Sequence, residues 1–358
     1  MVTRNDVAKL AGTSPAVVSY VVNGGPRPVA ATTRIRVQAA IDQLAYRPNG
    51  VARSLRLRRT GLLGLIVPDN SNPYFAELAR EIEEQAFAAD YLLLLGNSTD
   101  REERQAAYVS QFLESRVEGL VIIGPVAAHT SSRTSHLPST SQLLDSQTGP
   151  RVVMVDRYLP SLRASYYLGV DNAYGGYIAT NHLIEHGYTS VSCLAGPPHD
   201  VTADERRIGW QRALSEARLQ PSRQDLIRSA FNRHDACKVL LGRLRASRHP
   251  RALFIASDEQ AIGALRAVHE VGLRVPEDIA FVSFDGITDA DFTNPRLTTV
   301  AQPIPSLART AVQLALDPEH AKSAFGTVAE SSALRAADPL SRTVLLPVQL
   351  MIGHSCGC

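Results

Sequence analysis

Apolar residues recur at helical spacing through the first sixty positions and as near-continuous runs beyond them, so the chain changes texture once. Val7, Leu10 and Ala11 make an i, i+3, i+4 stripe behind Thr3 and Asp6, a hydroxyl and a carboxylate at capping spacing. Gly12-Thr13 ends that helix. Ser14 and Pro15 open a second, with a hydroxyl N-cap followed by proline in the first turn. This helix, 15–23, is expected to turn Val17, Val18, Val21 and Val22 inward and to stop at Gly24-Gly25. A third, 32–45, would bury Ile35, Val37, Ala40, Ile41 and Leu44. Helix, tight turn, helix reads as a helix-turn-helix. Residues 48–60, PNGVARSLRLRRT, are too short and polar for a core element and read as a linker.

From Gly61 onward, apolar runs alternate with amphipathic stretches. Strands are expected at 62–67, 91–95, 119–123, 152–155, 190–195, 252–256 and 279–283. Helices fall between them at 74–89, 101–114, 174–185, 204–217, 235–245 and 259–271. Uninterrupted apolar strands alternating with helices predict parallel sheets covered on both faces. The strands group before about 160 and after about 190, which implies two similar α/β lobes with a ligand cleft between them. Segment 129–149 reads as a long surface loop, and 321–342 has no legible pattern.

Charge sharpens this division. The 358-residue chain has a formal net charge of only +2. Residues 1–60 carry ten Lys/Arg against Asp6 and Asp42, a net +8, so the remainder carries −6. A basic head on a mildly acidic body is the asymmetry of a polyanion-binding module attached to something else. No apolar run is long enough to span a membrane. The start, MVTRNDVAKLAG, has no secretory h-region, and four cysteines in this length make no disulfide framework. A cytoplasmic protein of a reducing compartment is expected.

The motifs DVAKLAGTSPAVVSYVVNG, YRPNGVARSLR, GLIVPDNSNPYFAELAREIE, GVDNAYGGYIATNHLIEHGY, ASDEQAIGALRAVHEVGLRVPEDIAFVSFDG and PRLTTVAQP occur in one order over nearly the whole chain. In this the sequence resembles the LacI/GalR (lactose/galactose repressor-type) family of bacterial transcription regulators. The resemblance implies a helix-turn-helix DNA-binding domain (1–47), a hinge helix or linker (48–60) and a periplasmic-binding-protein-like effector and dimerisation domain (61–358) of two doubly wound α/β subdomains. It implies a repressor, homodimeric, on an inverted-repeat operator of double-stranded DNA, controlled by a small ligand, a sugar or sugar derivative.

By position, Pro15, Ala16 and Tyr20 match the family's base-reading residues. Ser14, Ser19, Asn23, Thr33 and Arg34 match phosphate contacts, which set register without reading sequence. Pro15 and Ala16 offer only apolar contact, for example to thymine methyls. Tyr20 stands where many relatives carry arginine, and reads either as a base contact or as a packing residue. Ala30 replaces the usual serine at the third helix's start, leaving Thr32 or Thr33 to cap a later one. Family hinges fold on operator DNA and pry open its minor groove. Leu55 matches the wedging leucine, with Ala52 beside it and Asn49 at the hinge start.

Pocket candidates by motif match are Asp69, Asn72, Tyr74 and Phe75 after the first strand, then Asp156, Arg157, Arg206, Asp258 and Asp285. Carboxylates and arginines suit vicinal hydroxyls because each makes paired charge-assisted hydrogen bonds. Ser257 replaces a frequent asparagine and Gly286 a frequent second aspartate. Trp210 reads as core rather than as a ligand face. A plain solute-binding protein is the competing class, and the basic head argues against it. An enzyme is not expected, since P-loop, G-x-G-x-x-G, G-x-S-x-G and H-E-x-x-H patterns are missing. Nor is a cofactor. His182 and His186 share a helix face without an evident third ligand. Cys356-x-Cys358 has no second pair at zinc spacing and reads as a frayed end.

Overall fold

The computed structural model describes residues 2–23, 27–47, 59–124, 138–145, 149–158, 166–246, 249–317 and 342–358. The Gly24-Gly25 stop, the hinge residues Asn49, Ala52 and Leu55, the side chain of Asn23 and most of segments 129–149 and 321–342 lie outside the described residues. The chain forms two compact units, Met1–Gly61 and Leu62–Cys358.

The first unit contains α1 (Arg4–Leu10), α2 (Pro15–Asn23) and α3 (Ala31–Gln43). Thr3 and Asp6 cap α1 reciprocally, the Thr3 side chain accepting from the Asp6 N–H and the Asp6 carboxylate from the Thr3 N–H at 2.8 Å. Val7, Ala8, Ala11, Val18, Val37 and Ala40 form the core, with Val21, Val22, Ile41 and Leu44 packed against it. Two residues expected inside are outside: Leu10 is 46% and Ile35 69% exposed. On α3 the buried stripe runs through Val37, Ala40, Ile41 and Leu44. Ile35, two positions before Val37, is rotated about 200° from it, onto the opposite face. On α1, Ala8 takes the place expected for Leu10. Val17 is only half-buried.

The α3 helix starts at Ala31, not later, and Ala30 at its N-cap makes no side-chain hydrogen bond. Ala30→Ser is therefore expected to stabilise this unit by about 1 kcal/mol, the value of a hydroxyl cap. A thermal melt of the head in which the variant gains nothing would show that these N–H groups need no cap.

The second unit is built on two six-stranded sheets. The first sheet is parallel throughout, in the order β2 (Leu92–Asn97), β1 (Leu62–Val67), β3 (Gly119–Ile123), β4 (Arg151–Val155), β5 (Tyr166–Val170), β11 (Arg342–Leu346). The second runs β7 (Leu226–Arg228), β6 (Ser192–Ala195), β8 (Ala252–Ile255), β9 (Ala280–Asp285), β10 (Thr299–Ala301), β12 (Gln349–Met351), parallel except at the β12 edge. Strand alternation sorts the first sheet into two faces. Leu63, Leu65, Val121, Ile123 and Val153 join the main core, whereas Ile66, Leu120, Ile122, Val152 and Met154 meet Val109 and Phe112 on the other side. Val109 and Phe112 belong to α5 (Glu102–Glu114), and α4 (Pro73–Ala88) backs the opposite face.

The lobes are not the contiguous halves expected. Helix α11 (Ile304–Leu316) packs on α4, β3 and β4, and β11 extends the first sheet, whereas β12 returns to the second. Among the described residues the chain thus changes lobe after β5, after β10 and after β11. In the second lobe, α7 (Asn172–Glu185) and α8 (Val201–Glu216) lie backbone to backbone. A Cβ on Gly176 would stand 2.2 Å from Arg206 O, and one on Gly209 would stand 2.0 Å from Ala173 O. Only glycine permits that approach, which sets the α8 residue Arg206 beside Asn172 at the start of α7.

Candidate functional site

In the first unit the opening turn of α2 is accessible: Ser14, Pro15 and Ala16 are all exposed. Ser14 Oγ accepts the Val17 N–H at 3.4 Å and so caps the helix. Tyr20, one turn on, is half-buried, while Arg34 is exposed and Thr33 half-buried at the start of α3. Ser19 differs from its expected phosphate-facing role. It is 7% exposed, because it adjoins core Val18 and shares a helix face with Val22.

In the second unit a cavity of about 840 Å3 lies between the lobes, at the C-terminal ends of strands from both sheets, where open α/β sheets take ligands. Eight of the nine expected residues line it: Asp69, Asn72, Tyr74, Phe75, Asp156, Arg157, Arg206 and Asp285. Asp258 does not. It is fully buried at the start of α10 (Asp258–Glu270). Its carboxylate accepts from the Ser283 and Thr299 hydroxyls and from the Gly286 and Ile287 N–H groups, at 2.7 and 2.9 Å for the amides. Asp258 shapes the turn after β9 instead of facing the cleft. In that turn Gly286 has φ +73°, and a Cβ would meet Ala301 Cβ at 2.5 Å, which explains why no second aspartate follows Asp285. Trp210 is core, donating to Val191 O at 2.9 Å.

Arg206 organises the cleft. It is 3% exposed, donates from Nη1 to Asp285 at 3.0 Å and to Ala256 O at 2.6 Å, and from Nε to Asn172 Oδ1 at 2.9 Å. Its guanidinium lies 3.7 Å from the centre of the Phe284 ring. Gln302 donates to the same Asp285 oxygen at 2.9 Å, and Tyr74 Oη donates to Gln302 Oε1, also at 2.9 Å. Asp156 and Asp285 end their strands with φ +74° and +114°, conformations that non-glycine residues adopt at about 1–3 kcal/mol each. Arg157 makes an ion pair with Asp100 of its own lobe at 3.3 Å and with Asp200 across the cleft at 3.5 Å. The Asn72 amide also crosses, donating to Phe231 O at 3.4 Å.

Several lining residues escaped the sequence analysis. Asp200 is the N-cap of α8, and Phe231 follows β7, a three-residue strand with no period to detect. Tyr158 also lines the cleft, and its hydroxyl is buried without a hydrogen-bond partner among the described residues.

Burial sets the proton affinities here. It pushes the Asp156 carboxyl up to about 6 against the opposing pull of Arg206 and Arg157. Burial likewise pushes Glu205, which accepts from Asn172 Nδ2 at 3.2 Å, up to about 7. A carboxyl whose pKa is higher folded than unfolded binds its proton more tightly in the folded state. Its contribution is full below the unfolded value near 4.5 and is lost as pH rises through about 7. Stability is therefore expected to fall between pH 5 and 8, each group contributing a slope of up to about 1.4 kcal/mol per pH unit. Glu205→Gln should flatten that fall and raise Tm at pH 8 but not at pH 5. A parallel pH profile for both proteins would overturn the assignment.

A basic helical head and a two-lobed body with a polar interlobe cleft together define a ligand-responsive DNA-binding regulator. Residues 3–49 match the family of bacterial regulatory proteins, lacI family, and residues 180–356 match a periplasmic binding protein-like domain. The chain is 36% identical over 320 residues to the HTH-type transcriptional repressor PurR of Erwinia tasmaniensis, covering 88% of this chain and 90% of that one. It is equally similar, over 319 residues, to the repressor of that name in Proteus mirabilis. A Lac repressor dimer bound to operator and the anti-inducer ONPF superposes with a TM-score of 0.78 at 26% identity over 99% of both chains. A CelR–cellobiose complex does so with a TM-score of 0.65 at 27% identity, over 99% of this chain and 100% of that one. The chain belongs to the LacI family of transcriptional repressors, regulators that bind DNA under the control of a small molecule and catalyse nothing. A stand-alone solute-binding protein is not favoured.

Proposed function

We propose that this protein is a cytoplasmic, nucleoid-associated homodimer that represses from an inverted-repeat operator and takes an uncharged sugar in its interlobe cleft. The head reads bases through Pro15, Ala16 and Tyr20 and grips phosphates through Ser14, Asn23, Thr33 and Arg34. Hinge residues Asn49, Ala52 and Leu55 open the minor groove. Symmetry of two copies is matched by symmetry of the operator. The dimer assignment draws on the Lac repressor dimer on its operator.

The observation that carries the ligand class is the cleft's composition. Among the described residues, Asp69, Asp100, Asp156, Asp200 and Asp285 line it against two arginines. That surplus of acceptors suits hydroxyl donors and repels phosphate, so a free sugar fits better than its phosphate ester. Tyr74, Phe75 and Phe231 add apolar faces for a ring. Arg206 Nη2 and Tyr158 Oη make no hydrogen bond among the described residues and remain for ligand oxygens. The cellobiose of the CelR complex supports the same class.

A thermal-shift screen over mono- and disaccharides, their phosphates and nucleosides tests this. A bound sugar at about 100 times its Kd adds roughly 2.7 kcal/mol of stability. A sugar that raises Tm and shifts operator affinity is the expected result. A shift with phosphorylated sugars or nucleosides alone would overturn the ligand class.

A further inference from the structure

Two fragments that look inert in the sequence meet in the second lobe. His182 and His186 lie one turn apart near the end of α7, with ring centroids 4.6 Å apart. Cys356 and Cys358, 170 or more positions later, arrive beside them. Cys358 Sγ is 3.2 Å from His186 Nε2 and 3.5 Å from His182 Nε2, and the two sulfurs are 3.2 Å apart. All four ligand atoms lie within 4.8 Å of one another. Zinc bonds of about 2.3 Å to sulfur and 2.0–2.1 Å to nitrogen place tetrahedral ligand atoms roughly 3.3–3.8 Å apart. The three pairs that involve Cys358 are within about 0.6 Å of that spacing, and the widest pair, no more than 4.8 Å apart, has about 1 Å to close, within reach of side-chain rotation.

We infer that His182, His186, Cys356 and Cys358 form a Cys2His2 zinc site that clamps the C-terminal segment onto α7. The histidine spacing, H-x3-H, is that of structural zinc sites. The cysteine spacing is one residue shorter than usual. Gly357, at φ +95°, supplies a left-handed backbone that lets both sulfurs face the helix. The segment is also held in place without any ion. Phe281 N–H donates to Ser355 O at 2.7 Å, and Ser355 Oγ donates to Phe281 O at 2.9 Å while accepting from Thr298 N–H at 2.8 Å. Fully buried Cys356 accepts from Thr298 Oγ1 at 3.0 Å, the kind of outer contact that orients a metal ligand.

A d10 ion bound by two thiolates and two neutral imidazoles needs no further charge. That donor set in tetrahedral array selects zinc among the common divalent ions. Binding displaces one proton from each thiol, two per ion. The clamp sits at the far end of the helix whose first residue, Asn172, holds Arg206. Fourteen residues at 1.5 Å rise separate the two by about 21 Å. The assignment is independent of which operator or effector the protein uses.

The test uses untagged full-length protein, freshly reduced and stripped of metal, titrated with Co2+ and then Zn2+. One Co2+ per chain is expected, with the intense visible bands of tetrahedral coordination and thiolate charge transfer in the near ultraviolet, bleached by one equivalent of Zn2+. Cys358→Ser and His186→Ala, both at exposed positions, should lose this spectrum while keeping the wild-type circular dichroism. Thr298→Val should weaken binding about 10- to 100-fold. Cys237→Ser should leave it unchanged. Substoichiometric Co2+, a spectrum without thiolate charge transfer, or one that survives Cys358→Ser and His186→Ala would overturn the site. So would a Cys356–Cys358 disulfide persisting in freshly reduced protein.

Discussion

A chain starting at Leu62 is expected to fold, bind its effector with unchanged affinity and lose operator-specific binding by at least about 1000-fold, the usual margin of specific over non-specific affinity. Each unit has its own core among the described residues, Val7 to Ala40 in one and the paired sheets in the other. Removing the head takes away the +8 of residues 1–60 and leaves a body of −6, which phosphate repels. In the proposed dimer that is +16 brought to one operator, so the intact protein should also lose affinity steeply between 50 and 200 mM salt, on the order of 1000-fold if six or more phosphates are neutralised. Fluorescence anisotropy with operator and scrambled duplexes at two salt concentrations reads both effects. Retention of operator preference by the truncated chain would place DNA recognition in the body and overturn the division of roles.

Much of this was legible in the sequence because periodicity and end signals act locally. Thr3 with Asp6 and Ser14 with Pro15 announce helix starts through their own hydrogen-bonding groups, and both starts are found where they point. Long apolar strands such as Leu62–Val67 betray a buried parallel sheet. What stayed hidden is whatever depends on distant partners. The strands Leu226–Arg228, Thr299–Ala301 and Gln349–Met351 are three residues each, too short to show a period, and exist because neighbouring strands pair with them. Phe231, in the loop after the first of these, went unnoticed for the same reason. Asp258 and Asp285 are both acids after strands of one sheet, and only the turn at Gly286 sends one into hydrogen bonds and the other into the cleft. The two halves of the Cys/His cluster are likewise unreadable apart, since each lacks the ligands that the fold brings from the other.

Arg206→Met is expected to cost about 3–5 kcal/mol of stability at pH 8 and to abolish the effector's thermal shift. The substitution keeps apolar bulk against Phe284 but removes three hydrogen bonds and strands the Asp285 carboxylate, itself 7% exposed, without its cation. Gln302 still donates to that carboxylate, which softens the loss without replacing a charge. The unpaired acid then takes up a proton, and burial already raises its proton affinity above that of an ordinary aspartate. A group with a raised folded pKa favours the folded state at low pH and loses that contribution as pH rises, so the deficit of Arg206→Met should shrink at pH 5. Adding Asp285→Asn removes the stranded charge, and the double variant should recover a large part of the stability at pH 8 while remaining blind to effector. Urea denaturation of the four proteins forms the cycle. A coupling energy below about 0.5 kcal/mol would mean that the pair acts as two independent residues, and the cleft would then be organised by something other than this ion pair.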